Sequence, residues 1–339
     1  MTRVPGLPLN KADVRSGLLA WADRPNAPVA AVMEQTGLSR QRVSNAKQWA
    51  LLGNFLDQKG LTPEGKLALQ KDPYLETTVT DWRFHLVGSL DGQNSSIQPQ
   101  SLADWDIWAH IVYSFLPEHS TFTKEELFQY LAQYFDSNKL ENPIKVLLKT
   151  YTEASAIANS AFLTRNGDTY ATGNPNLENV YTVGYVLATI WQQDIGDQVS
   201  VLVDELLNSP VGLGKVLGLD SSQVRDQLDR LTEAEIIEQR SAKPHAAGQT
   251  PLRRQSHETN YVVVRCWDNS LELLEKAYDQ DSAAPNRPLI QALDGILDDE
   301  DGELPFLSSM QNWFSNLRPQ QSQFAPEGSA IDTLLHLAG

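Results

Sequence analysis

One segment constrains this chain more than any other. Residues 29–36, VAAVMEQT, read as a short helix that must stop at Gly37, and a second helical stretch, SRQRVSNAKQWALL, begins two residues later at Ser39. Glycine adopts the left-handed backbone conformation at little cost, so it ends the first helix and turns the chain. Ser39 suits an N-cap, since its hydroxyl can accept from a free N–H of the first turn. Val43, Ala46 and Ala50 recur at three and four residues and point to the core. Upstream, KADVRSGLLAWAD (11–23) is a further helix with Val14, Leu18, Leu19 and Trp21 near one face. Pro25 and Pro28 separate it from the next. Downstream, Thr62-Pro63-Glu64 opens a last helix, LTPEGKLAL, because proline fits a first helical turn. Helix, tight turn and amphipathic helix in this order make a helix-turn-helix, whose second helix can enter a DNA major groove.

Charge is distributed to match. The chain of 339 residues carries 27 Lys and Arg against 43 Asp and Glu, a formal −16. That balance argues against a general nucleic-acid coat, because neutralising phosphates takes basic side chains. Yet residues 1–60 hold eight basic against four acidic residues, and residues 240–265 five against one. The second island belongs to a second pattern of the same type. SVLVDELL and SPVGLGKVLGL read as helices, the latter ending at Gly218. Then SSQVRDQLDRLTEAEII has Val224, Leu228 and Leu231 as its buried stripe. Two strands, IIEQR and TNYVVVRCW, flank a polar connection that carries Lys243, His245, Arg253, Arg254 and His257. A basic tip between two such strands is the wing of a winged helix, placed to touch phosphates. The DNA-facing candidates are therefore Ser39, Arg40, Gln41, Arg42, Ser44, Asn45 and Lys47 on the first unit. On the second they are Ser222, Gln223, Arg225 and the five tip residues.

Between these units, residues 72–199 are rich in tryptophan and other aromatics at helical spacing. FTKEELFQYL has a capping box in Thr123 and Glu126, and a helix follows Asn142-Pro143. TRNGDTYATGNPNLENV (164–180) reads as a Gly/Asn-rich loop. The expected fold is mainly α: two winged helix-turn-helix units, 1–71 and 200–280, flank a helical middle domain, 72–199, and an acidic, weakly structured tail spans 281–339. No apolar run reaches the roughly 18 residues needed to span a bilayer. The start, MTRVPGLPLNK, lacks the apolar stretch of a secretory signal. With a lone cysteine, Cys266, expected to be buried at a strand end, the chain reads as a cytoplasmic protein without disulfides.

Catalytic candidates are few. Asp81 and His85 lie four apart on one helix face, as do Asp106 and His110 after Asp104. A divalent metal held by His85, Asp106 and His110 would support metal-dependent nicking. The alternative is that these histidines are structural residues of an aromatic core. One cysteine excludes the usual zinc spacings. There is no phosphate-binding loop ending in Lys-Ser/Thr and no Gly-x-Ser-x-Gly elbow.

The runs GLSRQRVSNAKQWALLGNFL (37–56), LTPEGKLAL (61–69), DPYLETTVTDWRFHL (72–86), FTKEELFQYL (122–131) and IKVLLKTY (144–151) resemble, in order and spacing, a bacterial family of DNA phosphorothioation and phage-defence gene clusters that includes SspB-like proteins. Members open with Gly-His-Glu-Thr-Phe, which has no counterpart in MTRVPGLPLNK. The resemblance implies work on duplex DNA alongside a cysteine desulfurase and an ATP-using sulfurtransferase, with DNA nicking for sulfur insertion as the family's chemistry. The expected role is thus a DNA-binding component of such a system. The alternatives are a metal-dependent nickase of that system, or a transcriptional regulator or protein-interaction scaffold. Expected partners are duplex DNA, a sulfurtransferase or other defence proteins, with a second copy of the chain as a further candidate; no membrane is expected.

Overall fold

A computed structural model of the chain describes residues 4–90, 106–209, 211–241 and 261–281. Among these it is mainly helical, with thirteen α-helices and three small antiparallel sheets. The N-terminal segment folds as α1 (Lys11–Asp23), α2 (Val29–Thr36) and α3 (Arg40–Leu52). Asn10 caps α1, its side chain accepting from Asp13 N–H at 3.0 Å. Val14, Leu18 and Trp21 are buried as the spacing requires, but Leu19 is 41% exposed. It stands about 100° round the helix from Leu18, off the stripe. Gly37 takes φ +70° and ends α2.

A two-stranded hairpin follows, β1 (Leu56–Asp57) with β2 (Gly60–Leu61), and then α4 (Pro63–Lys71). Thr62 caps α4 by accepting from Gly65 N–H at 2.9 Å, with Pro63 in the first turn. Gly65 presses against the backbone before the hairpin: a Cβ there would lie 2.0 Å from the Phe55 carbonyl oxygen.

At the centre lies α5 (Thr78–Leu90), with eleven of its thirteen residues buried. A helix covered on all sides has no polar face, so its polar residues must find partners inside. Helix α5 packs on α6 (Ile107–His110), which continues as a π-helical turn through Phe115; α7 (Lys124–Leu131) and α8 (Glu141–Thr152) follow in the chain and pack on each other. Thr123 and Glu126 form the expected capping box on α7. The segment expected as a loop over 164–180 instead begins as a hairpin. β4 (Thr164–Asn166) and β5 (Thr169–Ala171) pair around Gly167-Asp168, and β5 also pairs with β3 (Thr121–Thr123). Glycine at the first of two loop positions, Gly167 with φ +62°, suits such a two-residue connection, and the Phe122 and Tyr170 rings stack across the strands at 5.6 Å.

Next comes α9 (Val180–Asp194), capped by Asn179. Sequence periodicity does not disclose it, because it is apolar on nearly every face and rich in β-branched and aromatic residues. The stretch expected as a helix from Ser200 starts as strand β6 (Ser200–Leu202) before α10 (Val203–Asn208). Then follow α11 (Leu213–Leu217), α12 (Ser221–Glu233), β7 (Ile237–Ser241), β8 (Tyr261–Arg265) and α13 (Ser270–Gln280). The sheet order is β6-β8-β7, with Val201 and Gln239 both opposite the buried Val263. Cys266 is exposed rather than buried, since Trp267 beside it takes the inward position. Helix α13 lies along α9 and reaches back to the first third of the chain: Lys71 pairs with Asp279 at 2.9 Å, and Thr78 bonds to Asp281 at 2.7 Å. No helix among the described residues is long and apolar enough to cross a membrane.

Replacing Gly65 by alanine must push the hairpin and α4 apart. We expect Gly65→Ala to cost roughly 1–3 kcal/mol in denaturant unfolding. Gly6→Ala, where a Cβ meets open space, should stay within about 0.5 kcal/mol of wild type.

Candidate nucleic-acid interface

Two parts of the chain repeat one local design. In the first, α2 ends at Gly37 with φ +70°, Ser39 is an extended N-cap, and α3 runs for 13 residues into the β1–β2 hairpin. In the second, α11 ends at Gly218 with φ +68°, Asp220 is an extended N-cap, and α12 runs for 13 residues into β7. The turns share the pattern Gly-Leu-Ser/Asp-x-x-x-Val, GLSRQRV against GLDSSQV. The left-handed glycine turns the chain, the cap starts the next helix, and the valine anchors it; Val43 and Val224 are both buried.

The outward faces differ. On α3, Ser39, Arg40, Gln41, Arg42 and Ser44 are exposed and Asn45 and Lys47 half-buried. Several of these seven have structural duties. The Ser39 hydroxyl accepts from Arg42 N–H at 3.4 Å. Arg42 holds Asp13 of α1 with both Nε (2.8 Å to Oδ2) and Nη2. Asn45 accepts from Leu7 N–H at 3.1 Å and donates to the Pro8 carbonyl at 3.3 Å, tying the N-terminal strand of backbone to α3. Lys47 lies over the Trp21 ring with its Nζ 6.0 Å from the centroid. Arg40, Gln41 and Ser44 carry no side-chain hydrogen bond or ion pair among the described residues. No acidic residue occurs from 35 to 56.

On α12, Ser222 is exposed, and Gln223 closes a capping box by accepting from Asp220 N–H at 3.0 Å. Arg225 is half-buried. Arg230 donates to the carbonyls of Leu177 and Glu178 at 2.8 and 2.6 Å, so it serves the fold. The helix also carries Asp226, Asp229 and Glu233. Lys243, His245, Arg253, Arg254 and His257 lie outside the described residues, as does Asp104.

The catalytic candidates do not meet. His85 is fully buried on α5, with Nδ1 2.7 Å from the Tyr151 hydroxyl and Nε2 2.7 Å from the Val216 carbonyl. Its ring lies against Phe162 at 4.1 Å. Burial pushes its pKa down to about 4, against the 6.5 of a free imidazole, with the Val216 carbonyl resisting. Asp106 caps α6 by accepting from Ala109 N–H at 3.0 Å. His110 is buried against Tyr134 and Phe135. Asp81, four residues before His85, pairs with Lys11 of α1 at 2.6 Å. Burial raises the Asp81 pKa to about 7, Lys11 opposing the rise and Asp72 adding to it. Among the described residues no group of three or more His, Cys, Asp or Glu side chains could hold a metal ion. His85, Asp106 and His110 belong to no such group among the described residues.

These features define a mainly helical protein with the buried helix α5 at its centre and two outward helices behind matching glycine turns. No protein-family model matches the chain, and neither does any curated protein. Among solved structures the fold is that of SspB. A magnesium-ion-bound SspB crystal structure superposes with a TM-score of 0.57 at 15% identity, covering 84% of this chain and 90% of that one. A second SspB crystal structure gives 0.54 at 15% identity, over 82% and 90%. The SspB-like resemblance carried by the sequence thus has its counterpart in the fold.

Two outcomes test the roles given to these side chains. Asn45→Ala leaves the Leu7 N–H without its partner and should cost about 1–3 kcal/mol, while Arg40→Ala should leave thermal stability within about 0.5 kcal/mol. His85 is neutral in the folded chain down to pH about 4 but protonates near 6.5 when unfolded. Its contribution is present above 6.5 and is lost as pH falls from 6.5 to 4, at up to about 1.4 kcal/mol per unit. His85→Gln should remove that slope from a pH series of unfolding curves.

Proposed function

We propose that this chain is a DNA-binding component of a DNA phosphorothioation-type phage-defence system, and that it meets duplex DNA through two winged helices. The observation that carries the reading is the exposed N-terminal half of α3. In a chain of net charge −16, the 22 residues around this helix hold Arg40, Arg42 and Lys47 and no carboxylate, and among the described residues only Arg42 of these is paired with an acidic side chain, Asp13 of α1. That charge sits on a helix presented by a tight turn, where the first residues of a recognition helix meet base edges. Arg40, Gln41 and Ser44 are the side chains free to turn to DNA. The second unit supports the same reading through its topology. β6 precedes α10 and α11, α12 follows, and β7 and β8 form a hairpin with β6 on its far side. Strands so placed around a helix-turn-helix support the reading of this unit as a winged helix; the basic segment 242–260, between β7 and β8 in the sequence, lies outside the described residues.

The two units divide the work unevenly in this proposal. Helix α3 reads the groove. Helix α12, with three carboxylates against two arginines, adds little, and its unit contributes phosphate contacts from Arg253, Arg254 and Lys243. The likeness to SspB supports the assignment to a phosphorothioation system, with a sulfurtransferase as the expected partner of the acidic middle surface. A catalytic role for His85, Asp106 and His110 is not part of the proposal, because their surroundings give them work inside the fold.

Retention of mixed-sequence duplex DNA across a salt series tests it. Wild type should bind with a steep salt slope. Arg40→Ala should flatten the log–log slope by about one unit, and Arg253→Ala/Arg254→Ala by about two. No retention at low salt by the wild-type chain would sink the reading and favour a protein-interaction scaffold.

A further inference from the structure

Arg42 is placed differently from its neighbours on α3. Two of its five N–H groups, on Nε and Nη2, are taken by the Asp13 carboxylate. Its side chain is nevertheless 51% exposed, while that of Asp13 is 11% exposed. Asp13 cannot swing away with the arginine. It sits in the first turn of α1, its N–H held by the Asn10 cap, and α1 is locked to α3 through Val14, Leu18, Val43 and Ala46. The guanidinium is therefore gripped along one edge. Covalent geometry leaves three N–H groups, two on Nη1 and one on Nη2, along the far edges. The Nη1–Nη2 edge is a parallel two-donor fork, the shape that matches guanine O6 and N7 in the major groove.

We propose that Asp13 is a positioning residue that fixes Arg42 as a guanine reader. The inference rests on the DNA-binding reading of α3 and goes on to say what that helix recognises. A neutralised arginine is a poor phosphate contact, because its charge is already balanced and phosphate binding is chiefly electrostatic. Base recognition depends instead on direction. A fork held in place loses less conformational freedom on binding than a free arginine does. The same helix then separates its tasks: Arg40 carries uncompensated charge for the backbone, and Arg42 carries orientation for a base.

The full-length chain is mixed with duplexes whose central positions, about one helical turn, are randomised, and the retained fraction is sequenced. Wild type should enrich guanine at one position. Asp13→Asn and Arg42→Lys should each lower that enrichment about tenfold, with retention of the whole pool changed less than about threefold and the salt slope unchanged. Arg42→Lys alters an exposed side chain, so it keeps the test valid if Asp13→Asn unfolds, which thermal melts report. Guanine preference that survives both variants overturns the inference, as does wild-type binding without such a preference. So does an Asp13→Asn variant that binds the pool more tightly with a slope one unit steeper, since Asp13 would then only mask charge. Wild-type chain that fails to bind any duplex removes the DNA reading itself, a result distinct from all of these.

Discussion

The structure depends on the burial of a helix that is not apolar. Helix α5 contributes Asp81, Arg83 and His85 to the interior, and each reaches a different element. Asp81 pairs with Lys11 of α1, and Arg83 bonds to the Asn54 carbonyl at 2.9 Å and to Tyr185 of α9. His85 joins Tyr151 of α8 to the Val216 carbonyl of α11. Just before the helix, Asp72 accepts from Thr77 and Thr80, and Thr80 contacts Tyr278 of α13. Removing one member of such a set strands a polar group in a dry interior, typically at a cost of about 3–5 kcal/mol for an ion pair. An apolar helix could pack in several registers against the same neighbours. These directional bonds select one, and so fix where α1 stands and where α3, packed on α1, faces the solvent.

The two glycine-turn units show how one backbone solution serves different surfaces. Their capped 13-residue helices and buried valines are alike because turn geometry and core packing demand it. Nothing in that demand touches the outward residues. On α3 these became basic and on α12 mixed, and on each helix some polar residues were drawn into the fold. Arg230 reaches two backbone carbonyls, and Asn45 secures the segment before α1. A basic residue on an outward face is therefore not by itself a DNA contact. Its neighbours on other elements decide.

That is also why the fold was more legible than the site. Helices α1, α2, α3, α4, α7 and α12 announce themselves through caps, a proline in a first turn, and apolar residues at three and four. Helix α9 does not, because a helix buried on all sides has no polar face to set against its apolar one. Helix α13 carries a readable signal, Asn269 followed by Leu271, Leu274 and Tyr278, that periodicity alone offers. Strand β6 is too short to alternate. At the site, Arg40, Gln41 and Ser44 follow from the helix face. The grip of Asp13 on Arg42, across 29 residues, and the inward turn of His85 belong to tertiary packing, and no local pattern records them.

Helix α13 closes the described chain yet completes contacts begun near residue 71. Lys71 awaits Asp279, Thr80 awaits Tyr278, and the Asn179 side chain donates to the Ala277 carbonyl at 2.7 Å. The first two of these contacts join partners about 200 residues apart and the third partners 98 apart, and contacts so distant in sequence make for slow assembly. During synthesis the first part of the chain would therefore wait, with its central helix only partly covered, until residue 281 has left the ribosome. A DNA-facing helix held by that scaffold matures only when nearly the whole described chain is present, so a prematurely terminated product would carry the basic segment without the framework that aims it.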